Sequence, residues 1–535
     1  MSTRDLPYFR RPIRPRLSFA PRIFADWRSW DRAAVFRMIA LAMIMSAAVG
    51  LRIWGLNQVG YNTDEAVYAG QAAAMARDPA LKEIFPIFRA HPLLFQFTLA
   101  LAFHFGVSDL VGRLVAVVIS SATVFLVYRL GSLLYGQKSG ILAALFLALM
   151  PYHVVVSRQV LLDGPLVFFT TLTLYLLALF VKTEHPAWLH ATGVGMGLVV
   201  LTKETGIILI GAIYAFLALS REIRLRILDL VITTILTGLM IAPFPLSLLL
   251  AGGTSSTSSG KQYLVWQLFR RSNHTWDFYL TSVPIAMGIL VIIVALFGLW
   301  VMHRQRTWRE RLLICWILVP TMFFQLWPTK GFQYLLPIAP AVALLAGRTL
   351  ACWSPAAEIR FRRWRLSTAW ARAVTTGIVA LSLLIPSWQV IQPSTTGTFV
   401  AGTGGLPGGR EAGIWVRENT PQGAILLTVG PSMANILQFY GHRRAYGLSV
   451  SPNPLRRNPS YISFPNPDLQ IRKGDLQYIV WDSFSAERSS FFSKRLLKFT
   501  QRYHARVIHT ESVMVRLKDG SMVAKPVIII YEVRP

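Results

Sequence analysis

The stretch AAVFRMIALAMIMSAAVGLRIWGLNQVGYNTDE, residues 33–65, decides the class of fold. The run from Ala33 to Leu56 is too long for the core of a signal peptide and has no clear cleavage site. About 20 apolar residues cross the hydrocarbon core of a bilayer as a helix, so it reads as an uncleaved first span. Two adjacent acids, Asp64 and Glu65, follow directly.

Composition extends this reading to the whole chain. Of 535 residues, 53% are hydrophobic and only 15% charged, against roughly a quarter in soluble domains. Disorder is excluded, because disordered chains lack apolar residues. A soluble enzyme is disfavoured, and a polytopic membrane protein is expected. The two cysteines, Cys315 and Cys352, lie in or beside apolar runs and support neither a disulfide framework nor a Cys-based metal site.

Ten further spans read at roughly 109–130, 138–155, 164–181, 189–204, 206–220, 226–250, 282–302, 311–328, 331–351 and 372–391, giving eleven. The shorter run LLFQFTLALAFHF, residues 93–105, is placed at the membrane interface. The net charge of +29 suggests a nucleic-acid partner until its distribution is read. Arginines cluster in the arm 1–32, at Arg221, Arg224 and Arg226, at Arg304, Arg306, Arg309 and Arg311, and at Arg360, Arg362, Arg363, Arg365 and Arg372. With the N-terminus inside, eleven spans put every cluster on the cytoplasmic side, as the positive-inside rule requires. The expected organisation is a cytoplasmic basic arm (1–32), a transmembrane catalytic domain (33–391) and an extracytoplasmic α/β domain (392–535). In the last, ILLTV (425–429), YIVW (478–481) and VIIIYEV (527–533) read as strands, and EAGIWVREN and ERSSFFSKRLLKFTQRYH as amphipathic helices.

Several polar residues fall on the same expected outer face. Asp64 and Glu65 have two readings: acids in the first turn of a helix capped by Asn62 or Thr63, or a general base at headgroup depth. Asp163, in SRQVLLDGPLVFF (157–169), is an N-cap or a second acid of the same cleft, with Arg158 nearby to pair with it or with a phosphate. Lys203 and Glu204 are charges at membrane depth, which are usually functional or paired. Glu204 reads as a salt-bridge partner and Lys203 as a phosphate contact. Arg270, Arg271, His274, Trp276 and Tyr279 combine cations and aromatics, either as an interfacial belt or as a site for an anionic headgroup and a sugar ring. Lys330, Gln333 and Tyr334 belong to the same surface. A metal role for His91 or His274 needs acidic partners, and no clear metal motif is present.

These motifs resemble the GT-C type of integral-membrane glycosyltransferase, in the broad group of protein O-mannosyltransferases and lipid A aminoarabinose transferases. The resemblance rests on Asp64-Glu65, on His91-Pro92, on Ser157 to Phe169, on the basic-aromatic loop Arg270 to Tyr279, and on KGFQYLLPIAP from Lys330 to Pro340. It implies a polyprenyl-monophosphate sugar donor, Asp64 as the base and inversion at the anomeric carbon. Where the aminoarabinose transferases carry Glu-Lys before the proline, this chain has Ala90-His91, and it has no Asp-x-Asp motif of the oligosaccharyltransferase kind. The expected activity is sugar transfer to a lipid, glycan or protein hydroxyl, with no nucleic-acid partner and no committed cofactor. A transporter or flippase for a lipid-linked sugar, or a lipid-linked glycan ligase, are the alternatives. The first predicts inverted repeats and midplane charges; the second lacks the acid pair.

Overall fold

The computed structural model describes residues 32–85, 92–250, 266, 270, 272–301, 307–352, 360–361, 364–365, 368–392, 406–453, 456–458, 461–516 and 519–535. His91, Arg271 and residues 1–31 of the basic arm lie outside the described residues.

The first part is a helical bundle. Its helices are α1 (Arg32–Ile53), α2 (Thr63–Met75), α3 (Leu94–Phe103), α4 (Asp109–Tyr135), α5 (Gln137–Leu149), α6 (Pro151–Val156), α7 (Asp163–Thr183), α8 (Pro186–Thr202), α9 (Gly206–Leu219), α10 (Ile227–Ile241) and α11 (Pro243–Leu250). They continue as α12 (Phe278–Met287), α13 (Ile289–Val301), α14 (Trp308–Leu326), a 3-10 turn (Phe332–Ile338), α15 (Ala339–Cys352) and α16 (Thr368–Ile391), with a small hairpin of β1 (Arg360–Phe361) and β2 (Trp364–Arg365) before α16.

Every apolar run read as a span is helical, but among the described residues six helices are long and apolar enough to cross a membrane, or seven if the bent pair α12–α13 counts as one. The difference from eleven has local causes. Pro151 starts a new helix and splits the third run, and the fifth and sixth runs form helices of only 17 and 14 residues. At Gly288 the chain turns by 95° between α12 and α13. Gly288 has φ +90°, and a Cβ there would meet Leu383 at 2.3 Å, so only glycine permits the bend. α5 is short but packs closely between α4 and α15. A Cβ on Gly131 would meet the Gly140 backbone at 2.7 Å, and one on Gly347 would meet the Ala143 backbone at 2.7 Å. Small residues let membrane helices approach this closely.

The second part is an α/β domain with α17 (Gly409–Asn419), β3 (Ile425–Thr428), α18 (Pro431–Gly441), β4 (Arg444–Gly447), α19 (Pro467–Arg472), β5 (Tyr478–Asp482), α20 (Ser483–Arg488), α21 (Ser490–Arg502), β6 (Arg506–Arg516) and β7 (Met522–Glu532). The sheet runs β4-β3-β5-β7-β6, parallel across β4, β3 and β5 and antiparallel beyond. The three expected strands form. β4 and β6 were not anticipated; the pairing of β6 with β7 shifts register between Val507 and His509 and between Glu511 and Ser512, which spoils the alternation that marks a strand. The long amphipathic run around residue 490 breaks at Ser489 into α20 and α21.

A buried core joins the two parts. Tyr61, Phe95 and Val160 of the bundle share one apolar cluster with Leu406, Met433 and Phe439 of the α/β domain.

Candidate active site at the bundle end facing the α/β domain

The acid pair at the start of α2 is divided by the helix it begins. Asn62 is the N-cap: its Oδ1 accepts from the backbone N–H of Asp64 and of Glu65, each at 3.0 Å. Glu65 closes the capping box by accepting from Asn62 N at 3.0 Å. Consecutive helical residues point about 100° apart, so one acid faces in and the other out. Glu65 is fully buried. Its carboxylate also accepts from Arg113 Nε at 2.9 Å and Nη2 at 2.8 Å and from Val160 N at 3.0 Å. Arg113 in turn donates to the carbonyls of Leu56, Val59 and Gly60. Glu65 therefore ties α2, α4 and the segment before α7 together and is withdrawn from the cleft, contrary to its candidate catalytic role. Asp64 is exposed.

Asp163 and Lys203, read separately from sequence, form one buried ion pair at 2.8 Å. Asp163 begins α7 and Lys203 ends α8, so each charge suits the dipole of its helix. Lys203 also lies over the Tyr334 ring, 4.9 Å from its centroid. Asp163 thus orients Lys203 and not Arg158, which instead donates from Nη2 to the carbonyl of Trp54.

The remaining cations gather around the loop after α11. Arg270 sits 4.4 Å over the ring of Trp266. Lys330 is buried and donates to the carbonyls of Gln325 at 3.0 Å and Trp327 at 3.3 Å, using two of its three hydrogens. Asn273 clamps the Lys330 backbone through both its N–H and its carbonyl, at 2.8 Å each. Tyr279 braces the same turn through Gly331. His274 is exposed and stacks on Phe278 at 4.0 Å. Partial burial, then Arg488 and Lys330, lower its proton affinity, which favours the neutral ring. Trp276 is exposed, and Gln333 and Tyr334 are half-buried on the 3-10 turn.

The α/β domain completes this surface with residues that sequence reading missed. Asn435 of α18 donates to Thr63 Oγ1 at 3.1 Å, one residue from Asp64. Burial, and then the charge of Asp64, push the Tyr461 phenol up to about 12; Asn435 and Arg270 act in the opposite sense. Arg488, at the end of α20, lies 4.0 Å over the Phe484 ring, and Asp64 partly offsets the desolvation that lowers its proton affinity. No motif in the sequence marks Asn435, Tyr461 or Arg488. Among the described residues no three His, Cys, Asp or Glu side chains are grouped to hold a metal. The arrangement offers the exposed carboxylate of Asp64, cations on several sides and aromatic walls: a base, an anion site and a surface for a sugar ring.

Residues 90–245 match the family model described as dolichyl-phosphate-mannose-protein mannosyltransferase. Comparison with curated protein sequences gives no match. Among solved structures, the chain is similar to ArnT from Cupriavidus metallidurans in the apo state, at 14% identity and TM-score 0.68, over 94% of this chain and 98% of that one. The same enzyme bound to undecaprenyl phosphate gives 13% identity and TM-score 0.64 over the same shares. The archaeal oligosaccharyltransferase AglB from Archaeoglobus fulgidus, in complex with an inhibitory peptide and a dolichol-phosphate, gives 14% identity and TM-score 0.55, over 92% of this chain and 74% of that one. The chain has the membrane-helical fold of the GT-C glycosyltransferases that these structures represent.

Proposed function

We propose that the protein is a membrane glycosyltransferase that moves a sugar from a polyprenyl monophosphate to an acceptor hydroxyl. The observation that carries this reading is the exposed Asp64, set among cations in a fold whose relative binds undecaprenyl phosphate. Asp64 is the general base. The acceptor oxygen attacks the anomeric carbon, its proton passes to the Asp64 carboxylate, and the bond from that carbon to the phosphate oxygen breaks. The polyprenyl phosphate leaves with the electron pair, and configuration inverts.

An acceptor hydroxyl is a weak nucleophile at neutral pH, so a carboxylate within hydrogen-bond reach is required. The leaving phosphate is stabilised by fixed cations. Arg270 and Lys330 are the donor-phosphate contacts, the latter through its third hydrogen. Lys203 and Asp163 hold Tyr334, which with Tyr279, Trp276, His274 and Gln333 forms the wall against the sugar. Arg271 and Arg158 are further candidate contacts to the donor phosphate, and His91 to the substrate. The face carrying the α/β domain is extracytoplasmic, with the N-terminus cytoplasmic and eleven apolar segments in the membrane.

The test is to reconstitute the purified protein in liposomes with a panel of labelled undecaprenyl-phosphate sugars and membrane extracts. One label is expected to move, and Asp64→Asn to stop it. Failure of the protein to bind undecaprenyl phosphate at all overturns the proposal.

A further inference from the structure

The segment between α1 and α2, residues 54–62, delivers Asp64 and is held from two sides. From the bundle side, Arg113 takes three of its carbonyls, as described above. The α/β domain takes the other side. Tyr61 N donates to Tyr440 Oη at 2.7 Å, and that hydroxyl donates to Asp109 Oδ2 at 3.0 Å. Arg410 Nη2 lies 2.6 Å from the same Asp109 oxygen, and its Nη1 donates to the carbonyl of Asn57 at 2.9 Å. The approach is close: a Cβ on Gly60 would meet Arg410 Cβ at 2.8 Å. The Tyr61 ring packs 5.0 Å from Phe439 within the shared apolar core. Interfaces between domains of one chain are usually polar and mobile unless they bury an apolar core. This one buries such a core.

We propose that the α/β domain is a fixed half of the active site, and that Tyr440 and Arg410 are positioning residues for Asp64. They act through the backbone of residues 57–61 and through Asp109 at the start of α4. The role rests on the reading of Asp64 as the base. The physical cause is that Tyr440 satisfies a buried backbone N–H and a carboxylate with one hydroxyl. Removing that hydroxyl leaves the Tyr61 N–H buried without an acceptor, which a well-packed interface tolerates poorly.

The test uses the full chain in nanodiscs, as wild type, Tyr440→Phe, Arg410→Gln and Arg410→Lys. Amide hydrogen exchange over residues 57–63 is expected to rise about 10-fold or more in Tyr440→Phe and Arg410→Gln, with α7 and β3 unchanged. Arg410→Lys is expected to recover part of the protection. With the sugar donor selected by the labelling panel, kcat is expected to fall in the same order, while binding of undecaprenyl phosphate stays at the wild-type value. Unchanged exchange at 57–63 in both variants overturns the clamp; raised exchange with unchanged kcat overturns the positioning role. Should Tyr440→Phe fail to fold, a protease site placed within residues 393–405 decides. The severed α/β domain is expected to remain bound with residues 57–63 still protected, and its release on cleavage overturns the proposal. Loss of undecaprenyl phosphate binding in the wild type would fall on the glycosyltransferase reading alone, since the exchange results do not depend on it.

Discussion

Asp64→Asn and Glu65→Gln are the same chemical edit one residue apart, and their environments give them opposite consequences. Asp64 is exposed and does not cap α2, because Asn62 does. Its replacement by Asn is expected to change folding stability by no more than about 0.5 kcal/mol. Sugar transfer is expected to fall on the order of 100-fold or more, since Asn accepts no proton. Glu65 accepts four hydrogen bonds, two on each oxygen: Arg113 Nε and Val160 N on Oε1, Arg113 Nη2 and Asn62 N on Oε2. A glutamine must place its NH2 where one oxygen stood, so two donors face a donor whichever way the amide turns. The buried Arg113 also loses its counter-charge. Breaking a buried pair in this way costs about 3–5 kcal/mol, a large part of the roughly 5–15 kcal/mol that holds a typical domain together. The assay is thermal unfolding in detergent followed by circular dichroism, beside sugar transfer in liposomes. Glu65→Gln with wild-type unfolding, or Asp64→Asn with wild-type transfer, would refute the division of roles.

Lys203→Met is expected to destabilise the fold by about 3 kcal/mol, because it strands the buried Asp163 carboxylate; an unfolding temperature at the wild-type value would contradict the pairing. Asp163→Asn is expected to lower turnover while leaving measurable transfer, and a loss as complete as that of Asp64→Asn would reverse their roles. Arg270→Ala and Lys330→Ala are each expected to weaken undecaprenyl phosphate binding by about 10-fold, read by calorimetry; unchanged binding in both moves the phosphate site elsewhere. In the α/β domain, burial pushes the Asp482 carboxyl up to about 6, only partly offset by Ser485. Its folded proton affinity exceeds the unfolded one, so its contribution is full below about pH 4 and lost as pH rises through about 6, on the order of 2–3 kcal/mol. Asp482→Asn should still accept from Ser485 N and should flatten that dependence between about pH 4 and 6; an unaltered slope would count against it.

Much of the bundle was legible because a run of about 20 apolar residues has few alternatives. The span count was not, since the breaks at Pro151 and Gly288 lie inside apolar runs and the helices of the fifth and sixth runs are short. The acid pair Asp64–Glu65 stood out in the sequence from its place after the first span. Which of the two acids would face the cleft was not legible, because that choice is made by Asn62 and by Arg113, which lies on α4. Asp163 and Lys203 looked like separate functional charges because they stand on different helices. Tyr461, Arg488 and Asn435 carry no local signature; only tertiary packing brings them to the loop before α2.

Charge at membrane depth is costly, and the expectation that it marks function needs a further condition here. The buried acids Glu65, Asp163 and Glu310 of the bundle are each matched by a cation, Arg113 at 2.8 Å, Lys203 at 2.8 Å and Arg348 at 3.1 Å, while the buried Lys330 is met by the carbonyls of Gln325 and Trp327. Arg52, fully buried, is held by Ser157, His153 and the carbonyls of Ala48 and Ala148. A carboxylate gripped by a guanidinium or an ammonium inside the fold has its oxygens engaged, so accepting a proton from substrate means breaking that pair. Such a group makes a good strut and a poor base. A general base must pass between charged and neutral forms within one turnover, which requires access to water or substrate and a partner that can let go. By that criterion Glu65, Asp163 and Glu310 fit the role of struts, and the exposed Asp64 has the access that proton transfer demands.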